Sequence, residues 1–229
     1  MQPIPPIIEI TNLVLAPFGK QATYGVDRLT INRGDVIAID AKAALDSRQL
    51  LRLLATLERP DQGRFRFNGF DVDLYDYRRC LAVKRQIGYV APDCTMISNR
   101  TVRENLLLGR FYHENDLSID LDETMNLLCK DAGLTDDLEH RPSELNDSAL
   151  MKTIAIREMG KRPLLMLIDR PENFIQINPD DAIFNHLKNM VQSETAVVFF
   201  SNNEKMSDLG RRQLTLNDKT IRIRDLEER

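Results

Sequence analysis

Residues 36–54 read VIAIDAKAALDSRQLLRLL, and this stretch decides the fold. The run VIAI is typical of a buried strand, whereas SRQLLRLLATLE (47–58) has the apolar spacing of a helix that ends at the turn RPDQG (59–63). A strand, a short loop and a helix in this order form the frame of a phosphate-binding loop. The loop between them nevertheless has no glycine, and it has no lysine at the expected position.

Composition is ordinary for a globular chain and narrows the classes of function. The 229 residues are 42% hydrophobic and 29% charged, and the net charge of −4 gives no general attraction to nucleic acid. Apolar runs such as PLLMLI (163–168) are much shorter than the roughly 20 residues of a membrane span, and the first residues lack signal-peptide features. We therefore expect a cytoplasmic chain. We predict no metal site, because the cysteines and histidines lack metal-ligand spacing. These residues are Cys80, Cys94, Cys129, His113, His140 and His186.

The order of patterns along the chain predicts an α/β fold with a mixed sheet. The first third alternates like antiparallel strands, with a hairpin turn at Asn68-Gly69. Residues 101–159 read as helical, and Thr101 and Glu104 have capping-box spacing. Two apolar strands, PLLMLID (163–169) and TAVVFFS (195–201), follow and flank another helix. Strands that alternate with helices favour a parallel sheet in this part of the chain.

Six segments, in order, resemble the nucleotide-binding domain of ABC transporters over nearly the whole chain. This resemblance implies an α/β core of the P-loop NTPase type, an antiparallel β subdomain and a helical subdomain. We expect one domain over 1–229, with the core and β subdomain at 1–95 and 160–229 and the helical subdomain at 96–159. In that family two domains enclose two ATP molecules and drive a membrane permease. The segments are INRGDVIAI (31–39), LLRLLATLERPDQGRFRFNG (50–69), RQIGYV (85–90), TVRENLLLG (101–109), RPSELND (141–147) and KRPLLMLIDRP (161–171).

The residues that would hold phosphate in such a family member are changed. Aligned on the helix, the two glycines of the phosphate-loop pattern fall on Ala41 and Asp46. The lysine falls on Ser47, and the hydroxyl residue that binds magnesium falls on Arg48. The loop needs glycines and a cation to hold phosphates, whereas a carboxylate at ~4 Å from a phosphate charge costs about 4 kcal/mol at an effective dielectric near 20. These four residues therefore form a vestigial phosphate loop.

The other motifs implied by the resemblance are changed in the same way. Asp169 keeps the position of the carboxylate that holds magnesium through water, but Arg170 replaces the glutamate that polarises the attacking water, and a permanently charged guanidinium cannot act as a base. Pro92 stands at the position of a metal-contacting glutamine, and Asn202 stands at that of the switch histidine. The nucleotide-stacking aromatic corresponds to Phe18 or Tyr24, and core packing explains either one equally well.

The signature segment of the family, which would face ATP bound to a partner domain, corresponds to residues 145–149. Asn146, Asp147 and Ser148 stand there, and Asn146 and Asp147 are good helix caps. Asp46 and Gln49 likewise have capping-box spacing. We hypothesise that these side chains satisfy the helix ends where phosphates would lie. Neutral drift after the loss of ATP binding explains the changes almost as well.

These changes predict a pseudo-ATPase, and therefore not an enzyme, with no cofactor. We expect it to act structurally or as a regulator in a transport complex, together with a membrane permease and a second cassette, which is either a copy or a different chain. The chain resembles the LolD, FtsE and MacB-like cassettes, and VRENLLLGRFYHEN (102–115) is similar to cassettes of lipid transporters with MCE proteins. Peripheral attachment to the inner face of the membrane would use Met96, Ile97 and Leu106, which are equally well explained as core residues.

Two other functions remain open on the sequence. One is an atypical active ATPase, in which Lys42 or Arg48 neutralises phosphates and Asp169 holds magnesium. The other is a scaffold or regulator without a permease. A nucleic-acid role has the least support, because RRCLAVKR (78–85) is the only compact basic run and reads as a solvated helix face.

Overall fold

The strand VIAI lies inside a ten-stranded sheet, with the phosphate-loop frame at its carboxyl end. The computed structural model describes residues 4–15, 24–217 and 220–226. The strands of this sheet lie in the order β5-β4-β1-β2-β10-β9-β3-β8-β7-β6. Their bounds are β1 Ile8–Leu15, β2 Tyr24–Ile31, β3 Val36–Ala41, β4 Gln62–Phe67, β5 Phe70–Asp71, β6 Ile87–Val90, β7 Leu165–Asp169, β8 Ala196–Phe200, β9 Arg212–Asn217 and β10 Thr220–Asp225.

One part of the sheet is parallel, as the alternation of strands and helices predicts. β3 pairs in parallel with both β8 and β9, β7 pairs with β8, and β6 pairs with β7. β6, β7 and β8 are buried at every position, because helices cover both faces of this part of the sheet. Four carboxyl ends, those of β3, β8, β7 and β6, therefore meet at one edge.

The other part of the sheet is antiparallel, which confirms the interpretation of the first third of the chain. β1 pairs antiparallel with both β2 and β4, and β4 pairs with β5. The turn between β4 and β5 lies at Asn68 and Gly69, whose φ angles are 49° and 83°. Two positive φ values in succession are typical of the tight hairpin turn that the Asn-Gly pair predicts.

Seven α-helices complete the described part of the chain. Strands occur there only outside 96–159, whereas α3, α4 and α5 lie within that segment. Thr101 and Glu104 form the predicted capping box at the start of α3. The helix bounds are α1 Ala44–Leu54, α2 Tyr77–Lys84, α3 Val102–Glu114, α4 Glu123–Asp131, α5 Asp147–Met159, α6 Ala182–Gln192 and α7 Glu204–Ser207.

The hydrophobic core lies on both faces of the sheet. α1 contributes leucines to a cluster with the antiparallel strands, whereas α3, α4, α5 and α6 pack in a second cluster on the opposite side of β7 and β8. Within the described residues, no helix is both long enough and apolar enough to cross a bilayer. The two clusters fix the start of α1 and the end of β7, which are the elements that build the site.

Candidate nucleotide site

The motif positions of the core converge on the carboxyl edge of the parallel strands. Ala41 ends β3 and Asp169 ends β7, while Pro92 and Asn202 follow the ends of β6 and β8 by two residues. In open α/β sheets, ligands bind outside the carboxyl ends of the strands. Folding therefore brings together residues that are more than a hundred positions apart in the sequence.

The N-terminus of α1 faces this edge without a side-chain cap. The N-cap residue is Ala43, which has no side-chain hydrogen bond, and the first helical amide to find a partner is that of Asp46, 3.0 Å from the carbonyl of Ala43. The N–H groups of Ala44 and Leu45 precede the hydrogen-bonded turns of the helix and have no hydrogen-bond partner among the described residues. Free first-turn amides and the helix dipole attract anions.

Asp46 does not cap α1, so this part of the capping hypothesis is wrong. Asp46 is the third residue of the helix, and its Oδ2 accepts a 2.8 Å hydrogen bond from the hydroxyl of Tyr24 at the start of β2. Both residues are buried, with 8% and 6% exposure. Burial, reinforced by the hydrogen bond and the charge of Asp46, raises the pKa of Tyr24 to about 12. The carboxylate is thus held away from the helix amides.

Tyr24 is a core residue in this structure, since its hydroxyl is engaged and its ring is buried. Phe18, the other candidate for the nucleotide-stacking aromatic, lies outside the described residues. Ser47, at the position of the family's lysine, is fully buried and donates a 2.8 Å hydrogen bond to the carbonyl of Ala44. Ser47 therefore supplies no group to the edge.

Arg48 and Asp169 form the ion pair at the centre of the site. The Nε of Arg48 donates to Oδ2 of Asp169 at 2.8 Å, with the carboxylate side chain fully buried and the arginine side chain 25% exposed. Burial raises the pKa of Asp169, and the hydrogen bond and charge of Arg48 oppose this rise. Asp169 is therefore more than the end of a strand, because its ion pair with Arg48 joins β7 to the second turn of α1.

A second set of charges lies beside this pair. Asp93 accepts a 2.8 Å hydrogen bond from Arg52, one turn further along α1, and a 3.2 Å hydrogen bond from the hydroxyl of Tyr89. Arg52 also donates to Glu58 at 2.7 Å. Burial, followed by the charge of Asp93, raises the pKa of Tyr89 far above its usual range. Each oxygen of Asp93 thus accepts a hydrogen bond from a neighbouring side chain, and Arg52 balances its charge.

Glu172 is a site residue that the sequence reasoning missed. Its carboxylate accepts hydrogen bonds from the hydroxyl of Ser201 at 2.7 Å and from the amide of Asn202 at 2.9 Å, and so joins the segments after β7 and β8. Arg170, which precedes it by two residues, has a left-handed backbone with φ 60°. The signal in the sequence was a carboxylate displaced by two positions from the expected glutamate.

The signature segment caps its helix as predicted. The side chain of Asn146 accepts a 2.9 Å hydrogen bond from the amide of Ala149, and Asp147 is the first residue of α5. Ser148 is exposed and lines a groove of about 250 Å³ together with Lys152 and Glu172. The start of α5 therefore shares a groove with the segment after β7.

The three residues proposed for permease contact differ in exposure. Leu106 is 4% exposed and belongs to the core, because α3 packs on α5. Met96 is partly buried against the same cluster. Ile97 is 46% exposed, and of the three it alone presents a largely accessible side chain.

Magnesium, which the fold family implies, does not fit the residues at this edge. The hydroxyl ligand is replaced by Arg48 and the amide ligand by Pro92, so Asp169 is the remaining oxygen donor of the set. Its Oδ2 already accepts a hydrogen bond from a guanidinium, and its buried Oδ1 has no hydrogen-bond partner. Magnesium requires six oxygen ligands near 2.0–2.1 Å in an octahedron. Among the described residues, no group of three or more His, Cys, Asp or Glu side chains is arranged to hold a metal.

Comparisons with known proteins agree with this fold. No family model matches the chain. The lipoprotein-releasing system ATP-binding protein LolD of Shewanella frigidimarina is 25% identical over 89% of this chain and 85% of its own length. The macrolide export ATP-binding/permease protein MacB of Hyphomonas neptunium is 24% identical over 95% of this chain, which spans 34% of that protein. The ATP-binding cassette MJ0796, solved as a dimer in a post-hydrolysis state with ADP and Pi, superposes with a TM-score of 0.78 at 18% identity, covering 97% of this chain and 100% of that one.

The sheet order and these structural neighbours define a mixed α/β domain with the P-loop fold of ABC ATPases. The chain is similar over most of its length to ABC transporter ATP-binding proteins of the LolD and MacB type. The prediction that it is not an enzyme is wrong, because its relatives are ABC ATPases and one neighbour in structure was captured after hydrolysis. The changed motif residues therefore lie in a chain whose relatives are ABC ATPases.

Proposed function

We propose that the chain is the ATP-binding subunit of a LolD- or MacB-like transport complex and that it binds ATP at the carboxyl edge of β3 and β7. The observation that carries this proposal is the uncapped start of α1, where the free amides of Ala44 and Leu45 lie about one helical turn before Arg48. Amides at a helix N-terminus and an arginine are groups that bind phosphate in proteins. The orientation of Asp46 supports it, since this carboxylate faces Tyr24.

For hydrolysis, Glu172 is the candidate for the carboxylate that orients water. Arg170 cannot accept a proton, whereas Glu172 lies two residues later and binds the amide of Asn202, at the family's switch position. A water-orienting carboxylate at the ends of β7 and β8 would act on a phosphate held at the start of α1. We expect Glu172→Gln to retain ATP binding and to lose turnover. Equal loss of both would assign Glu172 a structural role.

The proposed complex also contains a membrane permease and a second cassette, and it lies at the cytoplasmic face of the membrane. The family resemblance supports these partners, and the exposed Ile97 offers an apolar contact in the segment that would receive the permease. We expect the chain to sediment with membranes when its permease is present. Ile97→Asp should release it, whereas Leu117→Asp, at an exposed leucine elsewhere, should leave it bound.

Calorimetric titration of the purified chain with ATP tests the central proposal. We expect saturable binding with a dissociation constant of about 1 mM or tighter, equivalent to about −4 kcal/mol. The control is Ala43→Asp, which places a carboxylate at the N-cap of α1 and should abolish the heat while leaving the fold intact. Absence of saturable heat from the unmodified chain would overturn the proposal.

A further inference from the structure

We propose that the guanidinium of Arg48 takes the place of magnesium, so that this cassette binds the nucleoside triphosphate without a metal ion. This inference rests on the proposed function, because it concerns how the same edge holds ATP. Arg48 occupies the position of the hydroxyl ligand and bonds to the carboxylate that would otherwise hold the metal. The guanidinium of Arg48 thus places a permanent positive charge where members of the family need a bound magnesium ion.

The geometry leaves Arg48 able to contact phosphate while it stays paired. Its Nε is used by Asp169, and its two terminal nitrogens have no hydrogen bond among the described residues. A guanidinium has five N–H donors in a planar fork that matches phosphate oxygens. With one edge on the carboxylate, the other donors are available to an anion at the start of α1. Asp169 thereby orients Arg48 instead of ligating a metal.

The neighbouring charges favour free ATP over its magnesium complex. A divalent cation brought to Asp169 would lie against the guanidinium of Arg48, and like charges at such distances repel strongly. The charge of the second nearby carboxylate, Asp93, is already balanced by its ion pair with Arg52. ATP without magnesium carries more negative charge and meets a protein cation directly.

The test is the affinity for ATP measured by calorimetry in magnesium and in EDTA. We expect the dissociation constant for ATP in EDTA to be no more than about twofold higher than in magnesium. Arg48→Met should weaken binding in EDTA by about tenfold or more, the loss expected for a hydrogen bond to a charged group. Arg48→Ser restores a hydroxyl beside Asp169, and magnesium should then strengthen binding.

Lys42→Met provides the matched control, because Lys42 is an exposed cation in the same loop. Removal of the Lys42 charge should lower the affinity for ATP in magnesium and in EDTA by the same factor. Binding by the unmodified chain that magnesium tightens by about tenfold would overturn this inference and leave the proposed function standing. Absence of binding in both buffers would overturn the proposed function and this inference with it.

Discussion

The hydroxyl of Tyr24 donates a 2.8 Å hydrogen bond to Asp46, which joins the antiparallel part of the sheet to the first turn of α1. The carboxylate was expected to cap its own helix, and it instead satisfies a buried phenol. The start of α1 remains open because its N-cap residue, Ala43, has no side chain that can accept a hydrogen bond. An acidic residue in the loop therefore does not by itself block the approach of an anion.

This bond predicts an elevated and Asp46-dependent pKa for Tyr24. The pKa of about 12 in the folded chain lies above the ordinary value of 10.0. The contribution of this tyrosine to the free energy of unfolding is thus fully present below pH 10 and is lost as the pH rises toward 12. Absorbance titration should show Asp46→Asn lowering this pKa, though not to 10.0, because burial is its largest cause.

The variant Tyr24→Phe shows which absorbance change belongs to Tyr24. It should remove the transition near pH 12 and leave the transitions of the other tyrosines unchanged. The high-pH loss of stability between about 10 and 12 should shrink in the same variant. An Asp46→Asn chain with an unchanged Tyr24 transition would show that the hydrogen bond does not form in solution.

The uncapped helix predicts that a new cap at Ala43 will stabilise the protein. Ala43→Ser and Ala43→Asp should each raise the free energy of unfolding by about 1 kcal/mol, because either side chain can accept from the amides of α1. The two caps differ in charge, and only Ala43→Asp should greatly weaken ATP binding. Chemical denaturation measures the change in the free energy of unfolding, and calorimetry measures the change in ATP affinity. If neither variant changed ATP binding, phosphate would not approach this helix end.

The ion pair of Arg48 and Asp169 predicts a large cost for its loss. Arg48→Met leaves a fully buried carboxylate without its cation, and we expect unfolding to become easier by about 3 kcal/mol. The double variant Arg48→Met with Asp169→Leu should recover most of this loss, because it removes both charges. Urea denaturation gives the four free energies that the cycle needs.

An exposed ion pair supplies the comparison for that cycle. Arg64 and Asp71 pair on the hairpin of β4 and β5 with side chains 62% and 53% exposed. Arg64→Met should leave the midpoint of denaturation nearly unchanged, since solvent screens exposed pairs. If Arg48→Met also left the midpoint of denaturation nearly unchanged, the ion pair with Asp169 would not stabilise the site.

The sequence predicted most of the fold because its patterns are local. The Asn68-Gly69 turn, the Thr101 capping box and the all-apolar strands each follow from a few adjacent residues. The pairing of Arg48 with Asp169 could not be found in this way, because it joins residues 121 positions apart and depends on which strand lies under α1. Asp46 was misassigned for the same reason, since its partner Tyr24 comes from a distant strand.

The function was misjudged for a related reason. Each altered motif was assessed by the group it had lost, whereas the relatives of the chain are ABC ATPases. We propose Arg48 as a replacement cation and Glu172 as a replacement carboxylate, two positions from the expected glutamate. A pattern of losses in the sequence thus does not establish loss of activity.

A crystal structure of the chain grown with ATP in EDTA measures the central claim most directly. We predict a triphosphate at the start of α1, with a phosphate oxygen within hydrogen-bond distance of a terminal nitrogen of Arg48, while its Nε stays on Asp169. A triphosphate bound elsewhere, or an Arg48 displaced from Asp169 when ATP binds, would contradict the account.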